Sequence, residues 1–112
     1  MAIDVEQLVL DQLDPVLALD PTIGVAVTNR VEAEVVLQGW IAADMTDKQK
    51  VYISILATKG MIPRLLLKFA QELKRVQAGP AEAEFQETIA YLKVLQEELT
   101  EQASRAALAV AP

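Results

Sequence analysis

The chain has 112 residues, of which 53% are apolar, 23% charged and 4% aromatic, and its 16 acidic and 10 basic side chains give a net charge of −6. This length predicts one domain, residues 1–112, and the apolar fraction is too high for intrinsic disorder. Cysteine and histidine are both absent, which excludes disulfides, histidine bases and the usual zinc sites. No uncharged apolar stretch is long enough to span a bilayer, so we expect no membrane segment.

The first predicted helix runs from Asp4 to Leu13 and ends at Asp14-Pro15, because proline disfavours a helical conformation in the residue before it. Asp20-Pro21 predicts the start of a second helix, with the aspartate as its N-cap and the proline in its first turn. This helix covers residues 22–43. Polar and apolar residues alternate in its middle, which is also typical of a strand. We favour a helix because no second strand offers pairing.

The middle of the chain predicts a capped and interrupted helix. Thr46 and Gln49 have the spacing of a capping box, which opens a helix that extends to about Lys59. Gly60 and Pro63 then predict a kink or a fresh start near residue 61, because proline lacks a backbone donor and clashes one turn back. After this point one helical face is apolar. It contains Ile62, Leu65, Leu66, Phe69, Ala70, Leu73 and Val76.

Gly79-Pro80 predicts the end of that helix. The last helix is expected from about Ala81 to at least Ala107. Its predicted inward residues are Phe85, Ile89, Leu92, Leu99 and Ala103. The sequence therefore predicts an all-α fold, a small bundle of four to five helices with a kinked middle helix and a long C-terminal helix.

No group of residues has the pattern of a catalytic site. Asp44 and Asp47 flank the capping box, and Glu97, Glu98 and Glu101 lie on a polar helix face. Ser54 and Ser104 have neither a glycine elbow nor a base to activate them. The four glycines form no phosphate-binding loop. We therefore expect a protein that is not an enzyme, with no catalytic residue, no cofactor and no bound metal.

Charge is unevenly distributed along the chain. The net charge is −7 over residues 1–45, +5 over residues 46–80 and −4 over residues 81–112. One interpretation is that a basic helix packs between acidic ones; another is that the molecule has an acidic and a basic side that stack against other copies. Arg64, Lys68 and Arg75 form the candidate basic face. Because the whole chain is negative, its charge does not favour non-specific nucleic-acid binding. We also expect no sequence-specific nucleic-acid binding. DNA binding through the candidate basic face is a less favoured, third possibility.

Several apolar residues do not fit the core of a lone helical domain. Leu67 points about 140° away from Ile62 at 100° per residue, and Tyr91 and Val94 lie opposite the apolar stripe of the last helix. We therefore expect packing against other chains. The candidate partner contacts on this ground are Trp40, Leu67, Tyr91 and Val94.

Over its whole length, the chain resembles the small head-to-tail adaptor (connector) proteins of tailed bacteriophages. The resemblance rests on three features. Short helices are interrupted at Leu13-Asp14-Pro15 and Leu19-Asp20-Pro21, a helix is kinked at Lys59-Gly60-Met61-Ile62-Pro63, and Gly79-Pro80-Ala81 separates it from the long last helix. It implies a structural protein in the neck of the virion, made in the host cytoplasm. It also implies a homo-oligomeric ring that contacts portal and tail proteins, with DNA passing through its lumen. It further implies that residues 103–112 are a partner-docking tail, which adds Ala103, Arg105, Leu108 and Val110 to the candidate partner contacts. The alternative is a small cytosolic helical regulator or assembly chaperone that binds one protein partner.

Overall fold

A computed structural model describes residues 3–75 and 80–110, and within these ranges the chain is helical, without any strand. This confirms the predicted all-α class and the long C-terminal helix. A single 3-10 turn covers Ala42–Asp44. The α-helices are α1 (Val5–Gln12), α2 (Asp14–Leu19), α3 (Ile23–Gln38), α4 (Asp47–Arg75) and α5 (Pro80–Val110).

Helix α4 is the centre of the molecule, because it packs against α5, α3 and α1. The long helices α4 and α5 form an antiparallel hairpin, and α1 also packs against α3. The hairpin accounts for the elongated shape, which measures 51 × 25 × 25 Å. All five helices and the α1–α2 link contribute to the largest fully buried side chains: Val9, Leu13, Val16, Val27, Ile53, Thr58, Ile62, Phe69, Leu92 and Leu99.

The first helix ends just before Asp14-Pro15, as predicted, and this pair begins α2, a short helix that the sequence analysis did not predict. Proline occupies the second position of this helix, where its missing N–H is not needed for an intrahelical hydrogen bond. Asp4 caps α1, since its side chain accepts a hydrogen bond from the Gln7 backbone N–H at 3.2 Å. Two short helices therefore precede α3, and Leu13 is buried at the point where they meet.

Helix α3 is shorter than predicted, and the strand alternative for this segment is wrong. Asp20 is not its N-cap; the Asp20 carboxylate instead accepts hydrogen bonds from the N–H and hydroxyl of Thr22, at 3.1 and 2.5 Å. The helix stops at Gln38 because Gly39 adopts a left-handed conformation, with φ of 74°, which glycine accepts without steric cost.

The capping box at the start of α4 is confirmed. Thr46 N–H donates to Gln49 Oε1 at 2.8 Å, and Gln49 N–H donates to Thr46 Oγ1 at 3.2 Å. The predicted fresh start near residue 61 is wrong, since α4 continues through both Gly60 and Pro63. Buried Met61, Ile62 and Leu65 flank this point, and their packing offsets the local cost of about 3 kcal/mol for proline in a helix.

The apolar faces of α4 and α5 meet largely as predicted. Phe69 is buried, and its ring centroid lies 5.7 Å from that of Phe85. Leu92, Leu99 and Ala103 are also buried. Ala70, predicted to face inward, is exposed. The predictions for Val76 and Gly79 lie outside the described residues.

Candidate functional site

Three large aliphatic side chains are exposed at the C-terminal end of α3 and just beyond it. Val36, Leu37 and Ile41 are 75%, 76% and 66% exposed. We call these three residues the α3 apolar patch. They lie within six residues of one another, on either side of Gly39, which has a positive φ.

One residue of the patch, Val36, also lines an open groove of about 960 Å³ between the start of the chain and the end of α3. The walls of the groove are mostly aliphatic and aromatic, and they include Val31, Val35, Val36, Trp40 and Met45. Trp40, a predicted partner contact, is only partly available, because its ring packs at 6.2 Å from Tyr52 and against the core. Its remaining surface lines this groove.

Three other predicted partner contacts are exposed on the hairpin. Leu67 is 62% exposed on α4, and Val94 and Leu108 are 56% and 82% exposed on α5. These side chains lie on different parts of the surface, so they do not form one patch with α3.

Tyr91 makes a contact within its own chain. Its hydroxyl donates a hydrogen bond to the Gln12 carbonyl oxygen at 2.5 Å. Burial of the ring, and next the negative charge of Glu98, raise the pKa of Tyr91 above its usual value. Tyr91 therefore connects α5 to the end of α1.

The C-terminal residues continue α5 as far as Val110, and residues 111 and 112 lie outside the described ranges. Ala103 is buried within the chain, and Val110 is half-buried. Arg105 forms an ion pair with Glu101, one turn earlier. A shallow groove of about 450 Å³ lies between the end of α5 and the start of α4, with Val51, Ile55, Ala106 and Ala109 among its lining residues. In the described part of the tail, Leu108 is the most exposed apolar side chain.

The candidate basic face is divided by the structure. Lys68 forms an ion pair with Asp20, and this contact, followed by the hydrogen bond from Thr22, lowers the pKa of Asp20. Arg75 pairs with Glu72 at 3.2 Å on its own helix. Arg64 is exposed and makes no ion pair among the residues that the structure describes.

A groove of about 480 Å³ between α3 and α4 brings Arg64 and Lys68 together with Arg30. We call it the α3–α4 groove. Ile23, Ala26, Ala33, Met61 and Leu65 form its apolar surface, and Arg75 is not among its lining residues. Sequence reasoning did not select Arg30, because it is the only base in the first 45 residues and stands alone.

Arg30 lies directly over the backbone of Gly60. A Cβ atom at residue 60 would lie 2.6 Å from both Cζ and Nε of the Arg30 guanidinium, so the glycine leaves the space that the arginine occupies. Arg30 also pairs at 3.0 Å with Glu34, whose side chain is 10% exposed. A glycine within an otherwise amphipathic helix was the available signal for such a close approach.

The hydroxyls of both serines are engaged by the backbone of α4 and α5. Ser54 donates to the Val51 carbonyl at 2.6 Å, and Ser104 donates to the Thr100 carbonyl at 3.3 Å. Within residues 3–75 and 80–110, the acidic side chains form no cluster suited to holding a metal ion. None of the helices described there combines the length and apolar character needed to cross a bilayer.

The helices define an all-α protein. Its candidate functional surfaces are the α3 apolar patch and the α3–α4 groove. Comparison with models of protein families, with curated proteins and with solved structures found no match.

Proposed function

We propose that this chain is a non-catalytic structural protein of a virion, a head-to-tail adaptor whose copies form a ring that joins the portal to the tail and extends the DNA channel. The α3 apolar patch carries the proposal. Isolated exposed apolar residues are common on monomers, but three large aliphatic side chains between residues 36 and 41, each 66–76% exposed, favour coverage by another protein surface.

The distribution of the other exposed apolar residues supports a protein with more than one partner. An adaptor in a ring contacts neighbouring copies and also the portal and the tail. Leu108, which is 82% exposed near the end of α5, fits a segment that docks into the portal. The net charge of −6 suits a channel lining that does not retain DNA phosphates.

Self-association of the purified protein tests the proposal. We expect the molar mass measured by light scattering to rise with concentration, and ring-shaped particles in electron micrographs, alone or with the portal. Leu37→Ser should lower the association, because it removes part of the α3 apolar patch. Val25→Ser is the matched control, since Val25 is 71% exposed on the same helix but lies about 16 Å before Val36 along the axis.

The adaptor proposal would be contradicted if the protein stays monomeric at every concentration and also does not bind the portal protein. A compact monomer or dimer that binds one partner without a ring would instead support the small cytosolic regulator or chaperone. If Leu37→Ser associates as strongly as the unmodified protein, the α3 apolar patch is not the contact between copies.

A further inference from the structure

The α3–α4 groove combines an apolar surface with a cationic rim. Arg30 comes from α3, and Arg64 and Lys68 come from α4 one turn apart. Four residues of helix rise place the last two about 6 Å apart along the axis. The neighbouring acids are already engaged, Asp20 with Lys68 and Glu34 with Arg30. Arg64 therefore gives the groove an unbalanced positive charge within the described residues.

The outward side of α5 carries the complementary pattern. Val94 is 56% exposed, and Glu97, Glu98 and Glu101 are also exposed. At 100° per residue these four positions fall on one side of the helix, within an arc of about 100°. We call them the α5 acidic ridge. Glu101 already pairs with Arg105, so Glu97 and Glu98 carry the unbalanced negative charge of the ridge within the described residues.

The ridge and the groove of one molecule cannot meet. Phe69 on α4 packs against Phe85 of α5, whereas Arg64 faces α3, about 140° further around the helix. Helix α4 thus separates α3 from α5, and the ridge points away from α4. Two different surfaces that fit each other but not themselves produce head-to-tail contacts, which close into rings or extend into filaments.

We infer that the α3–α4 groove receives the α5 acidic ridge of a second copy of this chain, with Val94 over the apolar surface and Glu97 beside Arg64. Neither Arg64 nor Glu97 makes an ion pair with the described residues of its own chain. The inference rests on the proposed self-association and specifies its contact. The opposite charges orient the two copies and make the contact specific. The apolar surface of the groove covers Val94, which its own chain leaves exposed.

Charge reversal on each side, followed by mixing, tests the contact. Arg64→Glu and Glu97→Lys change residues that make no ion pair within the described ranges, so both variants should fold. We expect each variant alone to associate at least about tenfold more weakly than the unmodified protein. Mixing the two in equal amounts should restore association, because the reversed groove then meets the reversed ridge and the unmodified surfaces meet each other.

Lys74→Glu is the matched control, since Lys74 is an exposed base of α4 that does not line the groove. It should associate as the unmodified protein does. Association of the unmodified protein should also weaken between about 0.01 M and 1 M salt, where the screening length falls from about 30 Å to 3 Å.

The outcomes separate this contact from the proposed function. If Arg64→Glu and Glu97→Lys associate normally, or if mixing fails to restore what each has lost, the groove–ridge contact is wrong while association through the α3 apolar patch still stands. If the unmodified protein is monomeric at all concentrations and salt levels, the proposed self-association fails, and this contact fails with it.

Discussion

Replacement of Phe69 by alanine tests the packing between α4 and α5. Phe69 is only 1% exposed, and its ring lies 5.7 Å from Phe85 at an angle of 40°. Loss of a buried phenylalanine ring typically costs about 3–5 kcal/mol, because apolar contacts disappear and a cavity remains. The free energy of unfolding of a domain is only about 5–15 kcal/mol, so Phe69→Ala should remove a large part of it.

Urea unfolding followed by circular dichroism measures this loss, and thermal unfolding should show a Tm lower by at least about 12 °C. Leu67→Ala is the control, because Leu67 is two residues away on the same helix and 62% exposed. Its effect on unfolding of the monomer should stay within about 0.5 kcal/mol. Measurements at several protein concentrations separate this effect from any loss of association.

A cost below about 1 kcal/mol for Phe69→Ala would refute the assignment of the buried face of α4. So would an equal cost for Leu67→Ala. A double-mutant cycle with Phe85→Leu then isolates the direct contribution of the aromatic pair, which we expect to be about 0.5–1.5 kcal/mol.

Two further predictions concern contacts between distant parts of the chain. Tyr91→Phe should lower the free energy of unfolding by about 0.5–1.5 kcal/mol, because the Gln12 carbonyl loses its donor; an unchanged urea midpoint would show that the contact contributes nothing. Asp20→Asn should lower stability at pH 7 but not in strong acid. The pKa of Asp20 is depressed by Lys68, so its contribution is present above the ordinary value of 3.8 and is lost as the pH falls through the lower folded value. The free energy of unfolding of Asp20→Asn and of the unmodified protein should be measured over a pH series. A difference between the two that is the same at every pH would contradict this prediction.

The elements with strong local signals were predictable from the sequence. The Thr46–Gln49 capping box, the apolar face around Phe69 and the inward stripe of α5 all follow from residue type and spacing, since these interactions are made within one helix or by one regular face. At Pro15 the predicted end of the first helix is confirmed, although a second short helix begins at once; at Pro63 the predicted fresh start is wrong. Proline is tolerated in the first turn of α2, and in α4 the surrounding packing exceeds its local cost.

The candidate surfaces were less predictable, because they depend on which helices become neighbours. Leu67 and Val94 could be assigned outward from helical periodicity alone, and both are exposed. Arg30 could not be grouped with Arg64 and Lys68, because only the packing of α3 on α4 brings it there. Ala103 and Trp40 were predicted as partner contacts, but their own chain covers the first and part of the second.

Gly60 connects the fold to the candidate contact. In isolation a glycine in the middle of a helix costs about 1 kcal/mol relative to alanine, and it was therefore interpreted as a break. Its missing side chain instead leaves room for the Arg30 guanidinium on the surface of α4. That position places Arg30 at the edge of the α3–α4 groove and within 3.0 Å of Glu34, whose carboxylate is nearly buried. The residue that weakens α4 locally thus leaves the space in which Arg30 joins the cations that line the surface proposed for a second copy.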